Sequence, residues 1–253
     1  MEHVHTDKES ILVSIVTVTF NSEKTLARTI ESVLNQTYRN IDYTIMDGCS
    51  TDGTVALAES YATAFEEAGI PFTVISEPDD GMYDAINKAV KRSHGVLVGN
   101  VNSDDFYEPN AVQTVVAEYV KDPFDMIYGD LRIIKPSGNT VKKAKLGRFA
   151  TTRYWNHPTT FITKATYDKE QYKCESMYDD CDLMLRLRRK KYKIRTVNEI
   201  LSNFTFGGMS TKKSWKKTKE RISIRCKIYK NNGYGFLYYL DSAVMEIAKY
   251  ILG

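Results

Sequence analysis

The sequence predicts an α/β fold in which helices cover both faces of a largely parallel sheet. In residues 11–121, four short apolar runs alternate with segments whose apolar residues recur at helical spacing. Such alternation is typical of parallel sheets, because the chain crosses back over the sheet between successive strands. Past residue 122 two strand-like runs, 126–134 and 140–144, flank a turn at 136–139. We therefore expect an antiparallel hairpin in the second half.

The strands predicted for the first half are rich in Val, Ile and Thr, as buried strands are. They span residues 11–20, 41–46, 72–76 and 96–101. Turn and capping residues separate these strands from the helices. We expect helices to begin near Ser22, at Thr51 or Asp52, after Gly81 and at Pro109. The second of these helices should run to about residue 68, and the third should end at Gly95.

The C-terminal segment, residues 211–253, is predicted to form a helical appendage that Gly233 and Gly235 divide into two helices. Nine Lys or Arg and one Glu lie between residues 212 and 230, although the whole chain of 253 residues carries a formal charge of only +3. The rest of the chain is therefore mildly acidic. The small total charge gives no reason to expect a nucleic-acid partner.

Two interpretations of this appendage remain open. It packs onto the body of the protein with solvated charges, or it lies on an anionic membrane surface. We favour the membrane surface, because apolar residues accompany the basic ones at helical spacing. Those of the first helix are Trp215, Ile222, Cys226 and Tyr229, and those of the second are Leu237, Leu240, Val244, Ile247 and Ile251.

The cysteines and the N-terminus indicate a cytoplasmic protein. The four cysteines, Cys49, Cys174, Cys181 and Cys226, follow no metal-binding spacing and are expected to be reduced thiols. Residues 1–10 lack an apolar run, so we expect a disordered leader and not a secretory signal. No stretch is long and uncharged enough to cross a bilayer. A place on the inner face of the cytoplasmic membrane remains compatible with these features.

Polar residues end the fourth predicted strand abruptly, in the order Asn102, Ser103, Asp104 and Asp105. In an open α/β sheet, ligands bind at the carboxyl ends of the strands. Two adjacent carboxylates repel each other, and Mg²⁺ or Mn²⁺ bridging to phosphate oxygens relieves that repulsion. An acidic turn before Pro109 is the alternative interpretation.

Four blocks together resemble the signature blocks of the family 2 glycosyltransferases, which have the GT-A fold. They read VTVTFNSE, IMDGCSTDGT, NVNSDDFYEP and YDDCDLMLRLRRK, and they occur in family order. The run SEPDDGMYDAINKAVKRSHGVLVGNVNSDD is similar to the subgroup that builds bacterial exopolysaccharides and lipopolysaccharides, including colanic-acid-type enzymes. The resemblance implies a GT-A catalytic domain over 11–210. Its nucleotide-sugar half would span 11–108 and its acceptor half 109–210.

The resemblance also assigns roles to the residues at the strand ends. It implies that the nucleotide lies against Val18, Thr19, Phe20, Asn21, Glu23, Asp47, Asp52, Asn102 and Ser103. Asp104 would contact the donor phosphate and, with Asp105, ligate the metal. Two departures from the family pattern concern this site. Gly48 stands where many members carry a second acid, and Asn102 replaces the first Asp of the Asp-x-Asp motif.

The segment after the third strand offers a further set of donor contacts. A turn at Gly81 before a helix leaves backbone N–H groups that favour anions. Polar side chains there could meet sugar hydroxyls and phosphate: Asp80, Asp84, Asn87 and Lys88. The alternative is a capped surface helix with solvated polar residues.

Asp180 is the candidate catalytic base. Transfer with inversion needs a group that removes the proton of the acceptor hydroxyl. Asp180 shares a predicted helix face with Leu183, Met184 and Leu187, so we expect it to be desolvated, which raises a carboxyl pKa. The resemblance places the family's base at the same position.

The remaining residues of this predicted helix have simpler interpretations. Asp182 is expected to pair outward with Arg186, four residues later. Asp179 is assigned to the acceptor, and capping of the helix by Asp179 or Asp180 is the alternative to catalysis.

Trp155 and His157 are further acceptor candidates. The resemblance places His157 near the acceptor, and Trp155 could stack on a sugar face. Both are equally compatible with a structural role. Residues 206–210, FGGMS, resemble a loop that orders over the bound nucleotide, with an ordinary glycine turn as the alternative.

These observations together predict an inverting, metal-dependent glycosyltransferase. It would move a hexose or N-acetylhexosamine from a nucleotide sugar, by default a UDP-sugar, to a lipid-linked saccharide in bacterial surface polysaccharide synthesis. The alternatives are a sugar-nucleotide pyrophosphorylase and a non-catalytic sugar-binding protein. The first needs a Gly-rich basic loop after strand one, which VTVTFNSEKT lacks. The second is favoured by Gly48 and Asn102 alone.

Overall fold

The computed structural model describes residues 11–205 and 214–252. Its strands are β1 (Val13–Thr19), β2 (Ile41–Asp47), β3 (Phe72–Ser76), β4 (Leu97–Asn100), β5 (Phe106–Tyr107), β6 (Met126–Ile134), β7 (Thr140–Lys142), β8 (Thr160–Thr163) and β9 (Ile194–Thr205). Its helices are α1 (Leu26–Leu34), α2 (Thr54–Glu59), α3 (Ala62–Glu67), α4 (Met82–Arg92), α5 (Ala111–Lys121), α6 (Lys164–Tyr167), α7 (Asp179–Arg189), α8 (Trp215–Asn231) and α9 (Phe236–Leu252). A 3₁₀ turn spans His157–Thr159.

The described strands form one mixed sheet in the order β3-β2-β1-β4-β8-β6-β9-β5, with β7 attached to β6. β1 lies parallel to β2 and β4, and β2 lies parallel to β3. β8 runs antiparallel between β4 and β6, and β7 runs antiparallel to β6. The parallel first half and the antiparallel hairpin expected from the sequence are both confirmed.

Helices cover both faces of the sheet and bury two apolar layers. On one face, α1, α2, α3 and α5 pack over residues such as Ile15, Tyr43 and Phe161. On the other face, α4, α7 and α8 pack over residues such as Val16 and Tyr128. Since the strands are buried on both sides, they read as nearly continuous apolar runs, and this made them recognisable in the sequence.

Several predicted helix boundaries are wrong. α1 begins at Leu26, because the Ser22 side chain bonds to Ser103 and to the Phe20 carbonyl oxygen instead of capping a helix. The expected helix up to residue 68 divides into α2 and α3. α4 ends at Arg92, three residues before Gly95.

The start of α5 also differs from the prediction. The helix begins at Ala111 with Asn110 as its N-cap, so Pro109 precedes the helix instead of occupying its first turn. The Pro109 carbonyl oxygen accepts the N–H of Thr37, which holds the residue in the connecting loop.

Asp182 is buried, and its predicted outward orientation is wrong. The expected pair with Arg186 forms at 3.2 Å, but Lys173 and Asn232 also reach the carboxylate, at 3.1 and 2.8 Å. Asn232 follows α8, so this carboxylate joins α7 to the C-terminal helices. An acidic side chain is accommodated inside because each of its oxygens has a partner.

The C-terminal helices pack onto the body of the protein. The Tyr229 hydroxyl donates to the carbonyl oxygen of Ala150 at 3.0 Å, and Phe149 stacks on Tyr238 at 4.3 Å between ring centroids. The apolar stripe on α9 is exposed: Leu237, Leu240, Val244 and Ile251. In α8, Tyr229 is buried against the body and Trp215 is exposed, so these two residues of the predicted apolar side lie in different environments.

None of the helices in residues 11–205 and 214–252 combines the length and the apolar character that a bilayer span requires. All four cysteines are free thiols. The predicted leader, residues 1–10, and the predicted loop at 206–210 lie outside the described residues.

Candidate functional site

The carboxyl ends of β1, β2 and β4 bring three polar loops together. The loop after β1 meets the loop after β4 through the hydroxyls of Ser22 and Ser103, 2.9 Å apart. It meets the loop after β2 where Asn21 accepts the Thr51 N–H and donates its own N–H to Ser50, both at 2.8 Å. Parallel pairing of these strands places the loops side by side, as the sequence predicted.

Two residues of these loops hold strained backbone conformations. Asn21 and Cys49 have φ angles of 50° and 61°, in the left-handed region that residues other than glycine rarely adopt. Such conformations persist when the surrounding bonds enforce them, and they concentrate at functional sites.

Asp47 anchors the loop after β2. Its carboxylate is completely buried and accepts hydrogen bonds from the Ser50 N–H at 2.9 Å and from the hydroxyls of Ser50 and Ser76. The side chain therefore closes the loop from the inside. The family resemblance assigns Asp47 to the nucleotide, and that role stays a prediction.

Asp52 and Glu23 link the same loops at the surface. Asp52 accepts the N–H of Thr54 at 3.0 Å and that of Glu23 at 3.3 Å. It also accepts the Thr54 hydroxyl at 2.5 Å, and this bond keeps the pKa of Asp52 below its usual value. Glu23 in turn accepts the Gly53 N–H at 3.2 Å. Both carboxylates remain exposed and available to a ligand.

The end of β1 presents one apolar and one polar group to this platform. Phe20 is 62% exposed, although it is a large apolar residue, so an aromatic face is open to a base. Val18 and Thr19 are buried, and the Thr19 hydroxyl has no hydrogen-bond partner among the described residues. A ligand bound at this strand end would satisfy the buried hydroxyl.

Gly48 makes room for Asp79. A Cβ added at Gly48 would lie 2.5 Å from Oδ2 of Asp79, so the aspartate occupies the space that a side chain at residue 48 would need. Asp79 also accepts the N–H of Gly81 at 2.8 Å, which fixes it before α4. The sequence reasoning missed Asp79. The departure at Gly48 was the signal that could have led to it.

Asp104 and Asp105 form a strained acidic pair. Asp105 is completely buried, and its oxygens accept the Thr205 N–H and the Asn102 amide, each at 3.2 Å. Burial, followed by the charge of Asp104, raises the pKa of Asp105 to about 7. Burial also raises the pKa of the half-buried Asp104, and Arg28 opposes this shift.

The acidic pair suits a metal ion that is coordinated by both the protein and a bound ligand. Among the described residues, it does not form a metal site made of protein side chains alone. No group of three or more His, Cys, Asp or Glu side chains in the described ranges is arranged to hold a metal. The donors present are hard carboxylate oxygens whose repulsion Arg28 only partly offsets, and such donors suit Mg²⁺ or Mn²⁺ completed by ligand oxygens. Asp104 is the more accessible donor, and Asp105 lies behind it.

The polar residues of α4 bond mainly to one another and to the body. Asp84 pairs with Lys88 at 2.7 Å, accepts the Asp80 N–H at 3.1 Å, and Lys88 donates to the Pro78 carbonyl oxygen. The Asn87 amide both donates to and accepts from the Tyr172 backbone. Contacts of these side chains with a donor sugar stay a prediction.

Asp180 lines a cavity of about 500 Å³, a size typical of ligand sites. Trp155 and His157 line the same cavity, so three of the four residues proposed for acceptor chemistry meet around one space. Phe204 lines it from β9, next to the Thr205 that bonds Asp105. Asp179 is buried beside the cavity instead, where it accepts the N–H groups of residues 175 and 176.

Aromatic and basic groups surround Asp180. Burial raises the pKa of the Tyr83 hydroxyl, and the Asp180 charge raises it further. Burial lowers the pKa of His157, and the same charge partly opposes that shift. The Asp180 carboxylate accepts the N–H of Cys181 at 2.7 Å. It therefore faces a neutral imidazole and a neutral phenol at physiological pH.

Sequence reasoning missed the charged residues that the C-terminal helices bring to this cavity. Arg221 and Arg225 of α8 and Glu246 and Lys249 of α9 line it. One signal was present: Arg225 lies three residues after Ile222 and four before Tyr229, on a helix face expected to be apolar.

Comparison with known proteins agrees with this arrangement. Residues 14–193 match the model of glycosyl transferase family 2. The chain is 37% identical to a chondroitin synthase of Escherichia coli over 132 residues. The matched stretch covers 51% of this chain and 18% of that protein. The chain is 29% identical over 126 residues to the E. coli UDP-Glc:alpha-D-GlcNAc-diphosphoundecaprenol beta-1,3-glucosyltransferase, covering 50% and 48%. The chain thus spans less than half of each of these relatives.

Solved structures share the fold. TarS of S. aureus in complex with UDP-GlcNAc superposes with a TM-score of 0.72 at 16% identity, over 95% of this chain and 73% of that one. The mannosyltransferase PcManGT of Pyrobaculum calidifontis, in complex with GDP-Man and Mn²⁺, superposes with a TM-score of 0.64 at 13% identity. This superposition covers 95% of this chain and 70% of that one. At these identities the likeness establishes the GT-A fold. With the family model covering residues 14–193, the chain belongs to glycosyl transferase family 2.

Proposed function

We propose that this protein is an inverting glycosyltransferase that moves a hexose or N-acetylhexosamine from a UDP-sugar to a hydroxyl of a saccharide acceptor. The observation that carries the proposal is the cavity that joins Asp180 to Trp155 and His157, next to the strand that anchors the acidic pair. The UDP donor is supported by the UDP-GlcNAc complex of TarS.

The strand-end loops would bind the donor. Phe20 offers an aromatic face to the base, while Asn21, Glu23 and Asp52 present polar groups beside it. Asp104, with Asp105 behind it, would hold Mg²⁺ or Mn²⁺, which neutralises charge on the diphosphate leaving group. Arg28 fixes this loop by donating to the Asp104 carbonyl oxygen and to Thr205, at 2.9 and 2.7 Å.

Asp180 would act on the acceptor. In an inverting transfer the acceptor oxygen attacks the anomeric carbon from the face opposite the leaving diphosphate, and a base takes its proton. Asp180 lines the cavity at the start of α7, with its backbone held in the helix. Trp155 and His157 would position the acceptor sugar. Asp179 would support the turn before Asp180.

A lipid-linked acceptor and a bacterial surface polysaccharide as product form part of the same proposal. The E. coli glucosyltransferase relative is named for a diphosphoundecaprenol acceptor. On this chain, the exposed apolar stripe on α9 and the exposed lysines of α8 have the character of a surface that contacts anionic lipid. We therefore place the protein in the cytoplasm, bound peripherally to the inner face of the membrane.

Thermal shift with nucleotide sugars tests the donor site. At 100 times its Kd, a ligand that binds only the folded state stabilises it by about 2.7 kcal/mol, or about 5–10 °C for a domain of this size. We expect UDP-Glc or UDP-GlcNAc to give such a shift with Mn²⁺, and Asp104→Asn to remove it. Asp168→Asn, at an exposed ion pair with Lys164, is the matched control.

The same samples separate the alternative functions. A transferase also hydrolyses its donor slowly without acceptor, and Asp104→Asn should abolish this hydrolysis. A donor that binds but is never turned over would favour a sugar-binding protein. The absence of any shift with any nucleotide sugar would refute the proposal.

Vesicle sedimentation tests the membrane contact. We expect the protein to sediment with vesicles of phosphatidylglycerol and phosphatidylcholine but not with phosphatidylcholine alone. Leu240→Asp should reduce binding, and Val120→Asp, at an exposed apolar position of α5, should not. Equal binding by both variants would contradict a role for α9.

A further inference from the structure

The cavity at Asp180 has an excess of positive charge. Among its described lining residues, the cations are Lys142 of β7, Arg221 and Arg225 of α8 and Lys249 of α9. The acids are Asp180 and Glu246. Two carboxylates face four cations, so the wall supplied by β7, α8 and α9 is basic. We call these four residues the cationic wall.

Glu246 neutralises only part of the cationic wall. It is 2% exposed, and its Oε1 lies 2.9 Å from the Lys249 Nζ and 4.0 Å from the Arg225 Nε. One buried carboxylate is thus shared between two cations. Asp180 lines the same cavity and its charge acts on Lys142, but a transferase needs this carboxylate free for the acceptor hydroxyl.

Arg225 has unused hydrogen-bonding capacity at the cavity. The side chain is 5% exposed, and its Nη2 donates to the Thr152 hydroxyl. Its Nε is buried without a hydrogen-bond partner among the described residues. A buried guanidinium N–H without an acceptor is costly, and an anionic oxygen in the cavity would satisfy it.

Lys142 also has hydrogen-bonding capacity beyond its contact with the protein. Its ammonium donates one N–H to the Trp155 carbonyl oxygen at 2.7 Å and has two further donors. Burial, then the charges of Lys249 and Arg225, lowers the pKa of Lys142 to about 8. The cations of the wall therefore repel one another, and a bound anion would relieve that repulsion.

The helices that carry most of the wall lie beyond the family match. The match ends at residue 193, whereas α8 and α9 span 215–252. These helices are firmly attached, since Asn232 donates to Asp182 at 2.8 Å and Arg153 pairs with Asp241 at 2.7 Å. The wall is thus built largely on firmly packed helices, placed where an acceptor would lie.

We propose that the acceptor carries an anionic group, a carboxylate or a phosphate, which binds the cationic wall and thereby presents a hydroxyl to Asp180. The proposal rests on the proposed function and adds the acceptor's chemical class. The shared chemistry is an anionic oxygen that accepts from Lys142 and Arg225. A uronic acid and a sugar phosphate are its two sources.

Binding of matched sugars in the presence of saturating UDP and Mn²⁺ tests the proposal, because UDP fills the donor site. The probes are methyl β-glucuronide, methyl β-glucoside and methyl β-glucoside 6-phosphate, measured by titration calorimetry. We expect at least one anionic probe to bind about tenfold or more tightly than the neutral glucoside, the effect of one charge-assisted hydrogen bond. Which anionic probe binds more tightly distinguishes carboxylate from phosphate.

The double variant Lys142→Gln with Lys249→Gln should remove most of this preference. Lys227→Gln, at an exposed position of α8, is the matched control and should leave it intact. Equal binding of charged and neutral probes, failure of both anionic probes to bind, or a preference that survives the double variant would overturn the proposal. Donor hydrolysis in the same samples reports separately on the proposed function.

Discussion

Asp47→Asn tests whether this aspartate holds the loop after β2 from the inside. The buried carboxylate accepts three hydrogen bonds, from the Ser50 N–H, the Ser50 hydroxyl and the Ser76 hydroxyl. An amide keeps the shape but turns one acceptor into a donor, so at least one buried donor loses its partner. Each unsatisfied buried group costs about 1–3 kcal/mol, and more beside a charge.

We therefore expect the free energy of unfolding to fall by about 3 kcal/mol, which lowers Tm by about 6–12 °C. Urea unfolding and calorimetry without nucleotide measure this directly. Asp80→Asn, at an exposed position after β3, should leave Tm nearly unchanged and serves as the control. An Asp47→Asn protein of normal stability with altered preference between UDP and GDP would refute the reasoning.

Three further predictions concern packing and charge. Gly99→Ala would place a Cβ 2.4 Å from the Phe161 ring, so urea unfolding should show a loss of about 1–3 kcal/mol, and no loss would contradict the packing. Asn232→Ala removes a buried hydrogen-bond donor to Asp182 and should lower Tm. It should also loosen the attachment of α8, which would appear as faster amide hydrogen exchange in that helix. Unchanged exchange would contradict the role of Asn232 in joining α8 to α7. The pKa of Lys142 is lowered from 10.5 in the unfolded chain to about 8 in the folded protein. Between about pH 8 and 10.5 the unfolded chain therefore binds more protons at this residue than the folded protein does. The contribution of Lys142 to the free energy of unfolding therefore rises with pH over that range. The free energies of unfolding of wild type and Lys142→Gln should therefore diverge as the pH rises across that range. Parallel pH profiles of the two proteins would contradict the lowered pKa.

Local patterns predicted the strands and the loops at their ends. β2 and β3 match the expected ranges to within a residue, because a β-branched apolar run bounded by polar residues is a local signal. The start of α1 was not predictable in this way. Ser22 bonds to Ser103, 81 residues further along the chain, and that contact exists only in the folded protein.

Charged residues inside the fold were the least predictable. The i,i+4 pair of Asp182 with Arg186 followed from spacing, but the burial of Asp182 depends on Asn232, which lies 50 residues later. Spacing within one helix identifies neighbours and does not identify what covers them. The cationic wall was missed for the same reason, because it arises where α8 and α9 meet β7 and α7.

The structure brings the residues of the predicted site together to different extents on its two sides. Asp180, Trp155 and His157 lie around one cavity, as their proposed roles require. On the donor side, the predicted residues lie at the strand ends where they were expected. Asp47 and Asn87, however, make hydrogen bonds within the protein that give each of them a structural role. A sequence motif marks residues that a fold requires as well as residues that touch a ligand.

Single-turnover transfer by Asp180→Asn tests the central claim most directly. With UDP-sugar, Mn²⁺ and an acceptor on which wild type turns over, we expect the rate to fall by about 10²–10⁴-fold. The Kd for the UDP-sugar, measured by calorimetry, should stay within about threefold, because Asp180 does not contact the donor nucleotide in this account. Transfer at an undiminished rate, with donor binding intact, would contradict the assignment of Asp180 as the base.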